Sequence, residues 1–325
     1  MFHHSNSHYI VWEFITDKFS SGIPVMLLYV LHSEGSSPGR QGFKMAVAAD
    51  ADICGTIGGG IMEHKFVETA KVQLQQNLAE SNVYLQKHDK TSGKNQSGMI
   101  CSGEQTIFIY QIKKEDVFAI EALIISEKEY KNGTLQLTNA GLLFFNEELK
   151  NNFEYTVTDK QFCLKEKTGF KNVLHIVGGG HCALALCHIM SDMDFLINIY
   201  DERENLNTMH QNIYAHNKVI VSSYADINAK IESGENVYVV IMTFGYRTDD
   251  IALRAIIEKK LKYIGVLGSK KKMEKLFKDY GNENISTEIL EKLHTPIGIN
   301  IKSQTTAEIA VSIAAEIISV KNACN

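Results

Sequence analysis

The stretch from Val173 to Asp201 constrains this chain more than any other. An apolar run, Val173-Leu174-His175-Ile176-Val177, leads directly into Gly178-Gly179-Gly180-His181-Cys182-Ala183, and the next apolar run ends at Asp201, 23 positions after Gly178. The spacing fits the G-x-G-x-x-G/A fingerprint through Gly178, Gly180 and Ala183, in the strand-to-helix setting that gives the fingerprint meaning. Around it the hydrophobic period alternates. It predicts strands at 173–177, 195–200, 218–222, 236–243 and 263–267, and helices at 181–193, 203–216, 249–261, 270–280 and 305–321. Strands alternating with helices imply a doubly wound, parallel, Rossmann-like sheet in this half.

The residues of that loop suit a phosphate-bearing ligand. Gly178 permits a tight turn, Gly180 leaves no Cβ where a pyrophosphate must approach, and Ala183 allows helix to pack closely on strand. The helix start presents N–H groups to an anion, and His181 stands there as a donor. Asp201 is placed to accept from ribose hydroxyls and to repel a 2′-phosphate, which favours NAD over NADP. A Rossmann-type domain whose ligand site is idle would carry the same pattern. Further on, Gly268-Ser269-Lys270-Lys271-Lys272 ends a strand and offers N–H groups and cations to an anion, or is simply an exposed helix start.

A second glycine-rich loop lies in the first half. Gly55-Thr56-Ile57-Gly58-Gly59-Gly60 follows a predicted strand at 44–49 and precedes a helix over about 61–77, with Glu63 in its first turn. Before it come a helix at 9–20, a buried strand at 24–31 and the turn-rich Gly35-Ser36-Ser37-Pro38-Gly39-Arg40-Gln41-Gly42, where Arg40 is the nearest anion clamp. The alternative readings are a packing turn for the glycines, helix capping for Glu63 and a solvated loop arginine for Arg40. Residues 82–112 alternate like strands around a polar loop. Cys101, in Ser97-Gly98-Met99-Ile100-Cys101-Ser102-Gly103, has small neighbours unlike those of a buried structural thiol, whereas Cys54, Cys182 and Cys187 read as core residues. The domain boundary is expected in the Lys-, Glu-, Asn- and Thr-rich segment 147–172, giving domains 1–165 and 166–325.

Composition narrows the function. At 325 residues there is room for two cores. A net charge of -5 without a basic face argues against nucleic acid as a partner. The longest apolar runs, 24–31 and 237–244, fall far short of the roughly 18 residues that span a bilayer, and no basic-then-apolar leader is present, so a cytoplasmic, non-membrane protein is expected. The six cysteines form no zinc-type spacing and are expected to be reduced.

Taken together, residues 35–63, 98–103 and the whole second half resemble the XdhC/CoxI family of molybdenum-hydroxylase accessory factors. The first part is similar to the family's G-S-x-P-R-x-x-G loop and G-T-I-G-G-G-x-x-E, with the arginine one position later. The middle is similar to its G-M-x-C-G-G, with Ser102 after Cys101. Gly265-Val266-Leu267-Gly268-Ser269-Lys270, Thr295-Pro296-Ile297-Gly298 and Thr305-Thr306-Ala307-Glu308-Ile309-Ala310 resemble its L-G-S-R/K, P-x-G and T-x-x-E-I-A. The resemblance implies an α+β XdhC/CoxI-type domain before the Rossmann-like one. It implies a protein that binds molybdenum cofactor (molybdopterin), shields it and delivers it in sulfurated form to a xanthine dehydrogenase or related hydroxylase, in concert with a cysteine desulfurase. Under it, Arg40, Gly58, Gly59, Gly60, Glu63 and Cys101 attend the cofactor, Cys101 as a candidate molybdenum ligand, and Gly178, Gly180, His181, Ala183, Asp201, Gly268 and Ser269 line a second site for a nucleotide or NAD. A homodimer stays open. The competing function is an NAD-dependent oxidoreductase built on the Rossmann half, which the lack of an evident proton-transfer pair disfavours against a non-catalytic chaperone.

Overall fold

A computed structural model describes residues 9–76, 78, 81–87, 103–158, 161–283 and 285–323, which divide into two units, 1–169 and 170–325. In the first unit the elements run α1 (Ile10–Ser20), β1 (Val25–Gly35), β2 (Lys44–Ala48), β3 (Ile53–Gly55), α2 (Gly60–Gln75), β4 (Asn82–Lys87), β5 (Gly103–Gln111), α3 (Lys114–Lys128), β6 (Gly133–Thr138), β7 (Gly141–Phe145), β8 (Phe153–Val157) and β9 (Phe162–Thr168). They form an antiparallel five-stranded sheet, β3-β2-β1-β5-β4, and an antiparallel four-stranded sheet, β7-β6-β9-β8.

The unbroken apolar run of β1 is explained by burial on both faces. Met26, Leu28 and Val30 point to one side, into a core with Met62, Phe66, Ala70 and Leu74 of α2. Leu27, Tyr29 and Leu31 point to the other, among Trp12 and Ile15 of α1, Ile120 and Leu123 of α3 and Leu135 and Leu164 of the smaller sheet. Alternate side chains of a strand face opposite ways, so a central strand covered twice has no polar stripe. Each such side chain contributes roughly 1.5–3 kcal/mol when fully buried.

In the second unit β10 (Asn172–Val177), β11 (Phe195–Asp201), β12 (Asn217–Ile220), β13 (Gly234–Ile241), β14 (Leu261–Val266) and β15 (Leu293–His294) make one parallel sheet in the order β12-β11-β10-β13-β14-β15. Counted within the unit this is 3-2-1-4-5-6, the dinucleotide-binding order, in which the strand order reverses between the adjacent first and fourth strands. α4 (His181–Met190) and α8 (Thr306–Asn322) cover one face through Ala183, Leu186, Ala310 and Ile313. α6 (Tyr246–Ile256) and α7 (Lys270–Asn282) cover the other through Leu253, Ile256, Leu276 and Tyr280. The expected fold class is present in both halves.

Several elements differ from the sequence expectation. The helix expected over 203–216 is only α5 (Asn207–Gln211). Its continuation is broken at Asn212, which is extended and whose Oδ1 accepts from the Tyr214 and Ala215 N–H groups, an Asx turn that competes with the helical pattern. A 3-10 turn, Tyr224–Ala229, capped by Ser223, supplies a crossover that the periodicity did not show. The segment 147–172 contains β8 and β9, and α3 with β6 and β7 fill residues to which no element was assigned.

Candidate functional site

In the first unit the two motif loops meet at one edge of the five-stranded sheet. β1 ends at Gly35, which pairs with Gly103 at the start of β5, and β2 begins where β3 ends, Met45 opposite Gly55. The loops leaving these strands therefore lie side by side, and they touch closely. A Cβ on Gly39 would stand 2.0 Å from the Ile57 carbonyl oxygen, and one on Gly58 2.5 Å from the Gly39 nitrogen. Gln105, fully buried, donates from Nε2 to the Gly39 oxygen (2.9 Å) and the Ile57 oxygen (3.3 Å), pinning both loops to β5.

The glycine loop is shaped by its own carboxylate. Glu63 Oε2 accepts from the Thr56 hydroxyl (2.6 Å) and from the N–H groups of Ile57 (2.9 Å) and Gly59 (2.9 Å). Partial burial raises the Glu63 pKa, but the Thr56 hydroxyl and the loop N–H donors outweigh it and hold the carboxyl below its ordinary range. The inner donors of this loop, expected to be offered to a phosphate, are thus taken by a side chain seven positions on from Thr56. Gly58 donates its N–H to the Thr56 hydroxyl (3.1 Å) and packs on Gly39, so what remains uncrowded is Gly59, with nothing within 4 Å of a Cβ there, followed by the exposed Gly60, both at positive φ. Arg40 donates to the Gly35 oxygen (2.9 Å), bracing its loop, and stays exposed. Cys101 lies outside the described residues.

In the second unit Gly178, Gly180 and His181 stand at the carboxyl edge of the sheet, at the reversal of strand order, with Gly268 and Ser269 following β14 on the same edge. Gly178 has φ +107 and packs against Met242 and Thr243 after β13, a Cβ there meeting the Met242 oxygen at 2.4 Å. Gly180 starts α4 with open space where a Cβ would point, His181 is exposed, and Ala183 is fully buried against the sheet.

Asp201 is placed otherwise than expected. It is fully buried, and its oxygens accept four hydrogen bonds: from the Gly179 N–H (2.7 Å), the Arg203 N–H (2.9 Å), Arg203 Nε (2.8 Å) and Arg203 Nη2 (2.8 Å). That fills a carboxylate's acceptor positions. Burial works to raise its pKa, and Arg203 with the two N–H donors lowers it below the usual value. Arg203, not singled out in the sequence, reaches to within 5.2 Å of the ring centroid of Phe244, on the loop after β13. Phe244 borders a 480 Å³ cavity with Tyr246, Arg247 and Lys275.

Comparison with known proteins decides the family. Residues 174–317 match the XdhC Rossmann domain, and residues 19–83 match the XdhC and CoxI family. The chain belongs to the XdhC and CoxI family. Within this family's reach, the uncharacterized protein YqeB of Escherichia coli (strain K12) is 24% identical over 302 residues, covering 92% of this chain and 44% of YqeB, so the chain spans less than half the length of that relative. A crystal structure from Bacillus halodurans, described as a xanthine dehydrogenase, shares the fold with a TM-score of 0.72 at 22% identity, covering 97% of this chain and 96% of that one.

Three other cysteines of this XdhC and CoxI family member sort by burial. Cys187 is fully buried on α4 and its thiol is pushed up to about 11, by burial first. Cys54 and Cys182 are half-buried, and burial raises both. All three thiols are protonated at neutral pH, unlike a thiolate ligand. Among the described residues no group of three or more His, Cys, Asp or Glu side chains is arranged to hold a metal, and no helix is long and apolar enough to cross a membrane. Gln105 belongs to no sequence pattern; Thr56 stands in the glycine-rich motif, but its bond to Glu63 has no sequence signal; Arg203, two places after the acidic residue of the fingerprint, is the one with a visible signal.

Proposed function

We propose that this chain is an accessory factor that binds molybdenum cofactor, protects it and delivers it, sulfurated with the help of a cysteine desulfurase, to a xanthine dehydrogenase-type hydroxylase in the cytoplasm. The observation that carries the reading is the junction made by Gln105. The two loops, which bear two separate family motifs, and the start of β5, whose Gly103 ends a third, are locked together at one sheet edge. The residues fit a phosphate-bearing pterin in kind. Gly59 faces open space and Gly60 is exposed, Arg40 supplies a cation on the neighbouring loop, and the loop needs no ligand to hold its shape because Glu63 and Thr56 satisfy its inner donors. When bound, the cofactor would supply a soft metal centre suited to a thiolate, and Cys101, two positions before Gly103, is the candidate for that contact.

The test is metal and pterin analysis of the full chain purified from a molybdenum-replete host, followed by activation of an apo-hydroxylase. Wild-type protein should carry the cofactor and activate. Cys101→Ser should keep the wild-type circular dichroism spectrum yet fail to protect or transfer the cofactor. Full activation by Cys101→Ser would remove the thiolate from the function, and absence of pterin from the wild type would remove the function itself.

A further inference from the structure

The Rossmann crevice faces its ligand with a cation, not with the carboxylate that its sequence pattern advertises. At the end of the second strand of such a sheet, an acidic side chain accepts from the ribose hydroxyls of NAD and excludes a 2′-phosphate, whereas an arginine there accommodates that phosphate. Asp201 occupies the acidic position but is 0% exposed, with its acceptor positions filled by Gly179 and Arg203. A ribose hydroxyl could donate to it only by displacing the N–H that shapes the glycine loop or the guanidinium that balances a buried charge. Neither exchange is favourable, since it would leave a buried group unpaired. The outward group at this position is Arg203, whose side chain is 40% exposed while two of its donors hold it to Asp201.

Two further observations give the crevice one character. Arg203 follows β11 and lies over Phe244, which follows β13; β10, whose end leads into the Gly178 to Gly180 loop, lies between these strands, and Asp201 bonds both Arg203 and the Gly179 N–H. Arg247 and Lys275 line the cavity beyond Phe244. Asp249, in the first turn of α6, is buried and accepts from the Thr243 N–H and hydroxyl, and Asp279 accepts from the Tyr246 hydroxyl (2.7 Å). Phe244 is 66% exposed, an aromatic face at the mouth of the crevice.

We propose that the second unit binds a dinucleotide whose ribose carries a 2′-phosphate, of the NADP type, with Arg203 as the residue that sets this preference over NAD. Asp201 then acts through Arg203 and Gly179, holding both in place, and touches no ligand. The inference does not rest on the cofactor-delivery reading, which concerns the first unit.

The experiment is titration calorimetry of the full chain with NADP and with NAD at low salt. NADP should bind on the order of tenfold more tightly, the effect of one charge-assisted contact. Arg203→Gln should bring the ratio of NADP to NAD affinity to about one, and Arg203→Lys, which keeps the charge if the glutamine variant does not fold, should retain a preference for NADP. Gly180→Val should abolish binding of both without altering the circular dichroism spectrum, since a side chain there enters open space at an ordinary φ. Binding NAD as tightly as NADP, binding neither, or an unchanged ratio in Arg203→Gln would overturn the proposal.

Discussion

At the scale of single residues, the two glycine loops are organised by the same device: a carboxylate from a nearby segment takes the loop's own N–H groups. Glu63 does so in the first unit and Asp201 in the second. The consequence for Glu63 is measurable. Glu63→Gln should destabilise the first unit by about 1–3 kcal/mol, because a neutral amide cannot accept as strongly from the Thr56 hydroxyl and the Ile57 and Gly59 N–H groups together. The sign of the pH dependence follows from its lowered pKa. The folded state holds the proton less tightly than the unfolded chain, so the Glu63 contribution is complete above the ordinary carboxyl range and disappears as pH falls through the lower folded value. Trp12, the single tryptophan and buried in the first unit's core, reports this by fluorescence in urea titrations at neutral and acidic pH. Wild type and Glu63→Gln should differ at neutral pH and converge in acid; a constant difference would remove the charge from the account.

At the scale of elements, β10 shows how a polar residue is carried through a buried strand. His175 sits among Leu174, Ile176 and Val177, makes a 3.0 Å contact from Nδ1 to the Tyr200 hydroxyl on neighbouring β11, and stacks on its ring. Burial lowers its pKa from 6.5 to about 4, so the folded state keeps the imidazole neutral. Between these values the unfolded chain binds more protons than the folded one. Stability therefore falls as pH drops from about 6.5 toward 4, by up to roughly 3 kcal/mol at 1.36 kcal/mol per pH unit. Thermal melts of wild type and His175→Phe across pH 4–7 check this: the phenylalanine variant should lose most of the acid sensitivity of the second unit's transition, and parallel curves would show that other groups carry it. Helix length was the less legible property. The 203–216 segment has helical spacing, yet Asn212 offers its backbone a better local partner and ends α5 after one turn and a half or so. α3 gives a weak period because apolar Phe118 and Ile125 lie on its exposed side, and β6 and β7 are only six and five residues long.

At the scale of the whole molecule, each unit has its own cores, those of the first drawn only from residues up to Leu164 and those of the second from Leu174 onward. A chain of residues 170–325 alone should fold, giving a cooperative melt and an α/β circular dichroism spectrum, since its helices cover both faces of its sheet without help from elsewhere. Non-cooperative melting of that piece would show that the units depend on each other. The sequence by itself determined the strand and helix alternation of the second half, the burial of β1 on both faces and the positions of the turns, because these follow from residue periods and glycine backbone freedom, which are local properties. It also placed the motif loops and pointed to the family. Only the tertiary structure decided who occupies the donors of those loops. Gln105 reaches Gly39 across 66 positions and Ile57 across 48, and Asp201 reaches Gly179 across 22. Hydrogen bonds inside a folded chain go to whichever partner the packing brings within 3 Å, and no spacing in the sequence distinguishes an acidic residue that will face a ribose from one already satisfied by its neighbours.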